Sequence, residues 1–153
     1  MLLQCEGRLE DAAVWYRRAI ALNPTFAQAH FNLGFCWRSL GNLPESLTAF
    51  RQGVRLEPCR PDIWLVIGLI HTEQGEHAAA EYAYRRGLLI DPGNATLHAN
   101  LGTARREQGD LAGALDELHL ALEFDPQHTY AKFNLNWTKR QAQARIRPIC
   151  MTC

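Results

Sequence analysis

Four prolines recur at one fixed step: Pro24, Pro58, Pro92 and Pro126 stand 34 residues apart. Gly7, Gly41, Gly75 and Gly109 keep the same step, and so do Gly34, Gly68 and Gly102. A period of this length, held through most of a chain, dictates a stack of repeated units, because each unit buries its apolar face against the next. Such stacks offer a surface more often than they perform chemistry. The chain has 153 residues, with 16 Lys plus Arg against 16 Asp plus Glu, which fits one solenoid domain of zero net charge. That balance argues against a nucleic-acid or anionic-membrane surface. No apolar run is long enough to span a bilayer.

Within each unit two apolar patterns have helical period. From Ala27 to Leu40, Phe31, Leu33, Phe35, Trp37 and Leu40 predict a helix with apolar groups on more than one side. Gly41 breaks it, and Pro44 opens a second helix at a position where a missing N–H costs nothing. Leu47, Phe50, Val54 and Leu56 line that helix, and Pro58 stops it. Gly34, Gly68 and Gly102 fall mid-helix, where glycine costs about 1 kcal/mol relative to alanine. Their repetition predicts close helix contact there, as do Gly53 and Gly87 for the second helices. Seven full-length helices are expected between 9–22 and 129–144, with a stub at 1–5, and no strands.

These columns resemble the tetratricopeptide repeat, whose pattern is W-x2-L-G-x2-Y, then A-x3-F, then P. The clearest unit reads Trp64, Ile67, Gly68, His71, Ala80, Tyr84 and Pro92. The others read His30, Leu33, Gly34, Trp37, Ser46, Phe50 and Pro58, then His98, Leu101, Gly102, Arg105, Ala114, Leu118 and Pro126. Ala12, Tyr16 and Pro24 mark a partial first repeat, and Leu135 a partial fifth. The resemblance implies an all-α fold, an α-solenoid of antiparallel helix pairs in a right-handed superhelix. Its divisions are a partial repeat 1–26, full repeats 27–60, 61–94 and 95–128, a capping helix 129–145 and a disordered tail 146–153.

The two ends read differently. Met1 falls midway through a repeat's first helix, which predicts a chain cut from a longer array. The uncovered apolar residues Trp15, Tyr16, Ala19 and Ile20 then predict self-association. Lys132, Asn136 and Lys139 occupy the columns of His30, Gly34 and Trp37, as suits a terminal helix facing water.

No pattern carries chemistry, so the chain reads as no enzyme with no cofactor. The six histidines show no HExxH spacing, and His30 and His98 share the column of Trp64, where packing is the expectation. No serine sits in a nucleophile-elbow setting. Cys36 lies in a core column with Ile70 and Ala104. Cys150 and Cys153 form a lone CxxC, short of the four ligands zinc needs. With an opening segment too short and too acidic for a secretory signal, reduced thiols and a cytoplasmic setting are expected. Asn94-Ala95-Thr96 is a glycosylation sequon by pattern alone.

The resemblance also assigns the first helices to an inner groove. Its columns map to Phe31, Leu65, Ala99 and Phe133, and one turn on to Phe35, Leu69, Thr103 and Trp137. Arg38, Arg106 and Arg140 edge it. Asn32, Val66, Asn100 and Asn134 form a further column, similar to the asparagine ladder that grips peptide backbone in the superhelix of O-linked N-acetylglucosamine transferase. An amide both gives and accepts hydrogen bonds, so it suits an extended chain of any sequence. The basic residues with which chaperone-binding members clamp a C-terminal carboxylate are missing from their columns. The expectation is a module binding an extended peptide or amphipathic helix through Phe31, Asn32, Phe35, Arg38, Leu65, Leu69, Asn100, Arg106, Phe133, Asn134, Trp137 and Arg140. Alternatives are a substrate-recruiting part of a larger enzyme, such as a glycosyltransferase, and a self-assembling scaffold.

Overall fold

The computed structural model describes the backbone of residues 2–146 and the side chains of residues 7–145. The expected disordered tail, with Cys150 and Cys153, lies outside the described residues, except that Ile146 ends the last helix. Eight α-helices and no strands are present among the described residues. They are α1 (Leu2–Leu22), α2 (Ala27–Ser39), α3 (Leu43–Leu56), α4 (Pro61–Glu73), α5 (His77–Leu88), α6 (Ala95–Glu107), α7 (Leu111–Phe124) and α8 (Thr129–Ile146).

The helix ends follow from the glycine column. Gly41, Gly75 and Gly109 have φ of 77°, 74° and 88°, the left-handed region that closes a helix without a Cβ penalty. At the first of these, the Gly41 N–H donates to Arg38 O and the Asn42 N–H to Trp37 O, at 3.0 and 2.8 Å. The same pair of bonds recurs around Gly75 and Gly109. The next helix then starts at once, with Asp110 accepting from the Gly113 N–H at 2.9 Å as a side-chain cap.

Two expectations are corrected. The helices number eight, not seven, and the first is not a stub followed by 9–22. α1 runs unbroken through Gly7. Gly41, Gly75 and Gly109 take the left-handed conformation that turns the chain, whereas Gly7 keeps the helical one.

Packing follows the glycines as expected. A Cβ on Gly34 would lie 2.8 Å from the Phe50 ring, and one on Gly102 would lie 2.8 Å from Leu118. Gly68 gives the same room to Tyr84, and Gly53 to Phe31. Each helix pair therefore closes on a large side chain seated against bare backbone. Ser46 Oγ donates to Gly34 O at 2.8 Å inside this contact. Successive units stack through α4 on α6 and α6 on α8, so the first helices share one side and the second helices the other.

One joint is looser. α3 and α4 touch less extensively than any other consecutive pair. The loops at the other joints turn on backbone bonds, Phe26 N to Asn23 O, Asn94 N to Asp91 O and His128 N to Asp125 O, at 3.1–3.3 Å. The loop at 57–60 lacks that bond. Its first position holds Glu57, one methylene longer than the Asn or Asp found elsewhere, which cannot fold back into the same tight turn. Arg60 holds this loop through side chains, with a two-pronged bond to Asp62 at 2.9 and 2.7 Å and its guanidinium over the Phe31 ring. That fork holds the Asp62 carboxyl below its ordinary value and raises Arg60 above its own.

Candidate functional site

The side built from the first helices carries a broken apolar strip. Phe35 is 41% exposed and Trp137 is 50% exposed, with half-buried Leu69 and Thr103 between them along the stack. Phe133 is 61% exposed and tilts against Trp137. Those two rings, Asn136, Arg140, Gln141 and Ala144 line a depression of about 580 Å³ on α8.

Phe31 is corrected. It is fully buried, inside the core formed with Phe50, Val54, Ile63 and Ile67. The bare backbone of Gly53 leaves it the space, and Arg60, in the loop before α4, covers it. Its column therefore points into the joint between repeats rather than into a groove. Ala99 is buried for the same reason and Leu65 half-buried against the Tyr84 cluster. Phe133 escapes because no described element stacks on α8.

The asparagine column is largely engaged inside the protein. Asn134 is buried, its Nδ2 donating to Tyr130 O at 2.9 Å and its Oδ1 accepting from Arg106 at 2.8 Å. At 3% exposure, with both polar atoms already bonded inside the protein, it is out of a ligand's reach. Asn100 donates to Thr96 O at 2.8 Å, leaving its Oδ1 open. Asn32 accepts from Gln28 at 2.8 Å, leaving its Nδ2 open. Arg38 pairs with Glu73 at 2.7 Å, and Arg106 pairs with Glu107 at 2.7 Å and sits over Trp137. Arg140 is exposed at the rim of the depression. Tyr130, 43% exposed with its hydroxyl 3.0 Å from Thr103 Oγ1, joins this face. It stands in a column otherwise filled by Gln28, Asp62 and Thr96, so no periodic signal singled it out.

The histidines hold structure. His30 and His98 each place Nε2 against a proline carbonyl, Pro24 O at 3.0 Å and Pro92 O at 2.9 Å, where Trp64 donates its indole N–H to Pro58 O at 3.4 Å. Imidazole and indole are thus interchangeable at this position because both present an N–H to the same carbonyl. The sequon asparagine, Asn94, caps α6 by accepting from the Leu97 N–H at 3.1 Å.

No helix among the described residues is long and apolar enough to cross a membrane. No curated protein sequence matches the chain. Among solved structures, the chain resembles a crystal structure of MamA at TM-score 0.84 and 16% identity, over 93% of this chain and 83% of that one. A second MamA crystal structure matches at TM-score 0.72 and 21% identity, over 92% and 70%. The first TPR of Spaghetti (RPAP3) bound to the HSP90 peptide SRMEEVD matches at TM-score 0.72 and 19% identity, over 77% and 93%. At these identities the likeness is one of fold. Family models described as TPR repeat and tetratricopeptide repeat match residues 6–36, 38–95 and 71–134. With that coverage, the 34-residue columns and the paired helices, the chain belongs to the tetratricopeptide repeat family.

Proposed function

We propose that the chain is a non-catalytic protein-interaction module that takes an extended peptide or an amphipathic helix along the side of its first helices. The observation that carries this reading is the exposure of Phe35 and Trp137 on the side of the first helices, with exposed Phe133 tilted against Trp137. Exposed aromatic groups beside polar rims mark binding surfaces, and buried aromatic anchors supply most of the energy of such contacts. Leu69, Arg38, Arg106 and Arg140 complete the surface, with Asn32 and Asn100 each keeping one amide atom for a ligand backbone. The peptide held by the RPAP3 repeat domain lends support to a peptide ligand. The columns that would clamp a C-terminal carboxylate hold Phe31, Leu65, Ala99 and Phe133 here, so recognition proceeds through the side chains and backbone of the ligand.

The test is a peptide-library selection against the full chain, followed by binding measurements on Trp137→Ala and Phe35→Ala. Selected peptides lose about tenfold or more in affinity to one or both variants, as hot-spot anchors do, and amidating their C-terminus changes nothing. Ligands indifferent to both substitutions would overturn the reading.

A further inference from the structure

On the side of the second helices, where α6 packs against α5 and α7, the arginines are neutralised from within. Arg85 pairs with Glu81 at 3.0 Å, and Arg105 with Glu81 at 3.4 Å and with Glu117 at 3.0 Å, while Glu117 also meets the His98 ring nitrogen at 2.7 Å. One repeat earlier, between α3 and α5 over α4, the positions of Glu81 and Glu117 are held by Leu47 and Ala83. Arg51 stands where Arg85 stands, while His71 takes the place of Arg105 and Trp64 that of His98. Arg55 adds a cation one turn later on α3.

Neither Arg51, Arg55 nor Arg86 forms an ion pair with a described residue. Arg51 reaches only His71, Nη2 to Nε2 at 3.4 Å. The other ring nitrogen of His71 faces Glu76 at 2.6 Å, so that carboxylate lies on the far side of the imidazole. Arg86 lies over the Trp64 ring at 5.4 Å. Between α3, α4 and α5 a cleft encloses about 700 Å³, edged by Arg51 and Arg55, floored by Trp64 and Ile67 and walled by Tyr82, which is 62% exposed.

We propose that this cleft is a second docking surface, on the opposite side from the first, and that its occupant is an acidic protein segment carrying one apolar side chain. Charge complementarity selects carboxylates for Arg51 and Arg55 at the cleft and Arg86 beside Trp64, none of which pairs with a described carboxylate. The apolar floor selects a side chain as well, which a phosphate chain lacks. Arginine beside an aromatic face adds planar, stacked recognition of carboxylates.

The probe is a short glutamate-rich peptide with one central leucine, titrated into the full chain at low salt. Binding is read by fluorescence anisotropy and by the nuclear magnetic resonance shift of the Trp64 indole N–H. The peptide binds, weakens as salt rises, and loses about tenfold or more against Arg51→Glu/Arg55→Glu, as removal of complementary charge predicts. The neutral pair Arg51→Gln/Arg55→Gln, checked for unchanged helicity, loses affinity in the same direction, so a folding defect cannot mimic the result. Equal binding of the glutamine counterpart of the peptide overturns the proposal. So does equal binding of a single-stranded RNA of the same charge, or a shift pattern centred on Phe35 and Trp137 in place of Trp64 and Tyr82. That last outcome leaves the first surface intact, so the two readings fail separately.

Discussion

At the scale of single residues, the columns that look most like ligand contacts are in several cases core, and physics separates them. Phe31 and Phe133 share a column, yet one is fully buried and the other 61% exposed. The difference lies in neighbours 22 residues away or more, Gly53 and Arg60 among them, which no local pattern encodes. The mid-helix glycines were legible because their cost repeats, and that cost needs a packing reason. Gly68→Ala places a methyl inside the Tyr84 ring contact. Overpacking costs about 1–3 kcal/mol and better helix propensity returns about 1 kcal/mol, so a net loss of up to about 2 kcal/mol is expected in urea denaturation. Tyr84 itself gives a pH signature. Burial pushes its hydroxyl from 10.0 up to about 12, against the lesser opposing effect of its bond to Thr72. Because the folded state holds the proton more tightly, stability is full below pH 10 and falls as pH rises through about 12. The loss amounts to about 2–3 kcal/mol. Tyr84→Phe removes that fall between pH 10 and 12, and the alkaline limb of the denaturation midpoint measures it. The two described thiols also part company. Burial pushes the Cys36 thiol up and hides it, while Cys59 is exposed. A thiol reagent mapped by peptide mass modifies Cys59 in the folded chain and Cys36 only on unfolding.

At the scale of elements, the breaks between α2 and α3, α4 and α5, and α6 and α7 could be read from the glycine column, because a left-handed residue acts within a few residues. Gly7 sits in the same column but inside a continuous helix. The same substitution in one column should therefore have opposite signs. Gly7→Ala adds a methyl that meets nothing within 4 Å in a continuous helix, and it stabilises by about 1 kcal/mol. Gly41→Ala forces a Cβ into φ 77° and destabilises by about 1–2 kcal/mol. Paired thermal melts decide it. Equal signs would mean that Gly7 turns the chain after all. The asparagine column illustrates the other limit. Its residues are visible in the sequence, but whether an amide faces a ligand or its own helix depends on partners such as Arg106, set by the stacking of the next unit.

At the scale of the whole molecule, stability in a stack is a sum of units and of the interfaces between neighbours, so its ends and its weakest joint open first. α8 rests on both α7 and α6, whereas α1 packs chiefly on α2. Ala12, Tyr16 and Ile20 of α1 are covered there, but Val14, Trp15 and Leu22 are 46%, 65% and 89% exposed. The expected polar cover on α8 is present in exposed Lys132, Asn136 and Lys139, although Phe133 and Trp137 are exposed beside them. Apolar surface of this kind drives association or local opening. In dilute solution the amides of α1 should exchange faster than those of α8. As concentration rises, α1 should gain protection while the sedimentation coefficient increases, because burying Trp15 against a second copy supplies the missing interface. Trp15→Glu should abolish both changes and leave the exchange of α4 to α7 as it was. Strong protection of α1 in a chain that sediments as a monomer at every concentration would show that its contact with α2 alone holds it, and would remove the case for self-association.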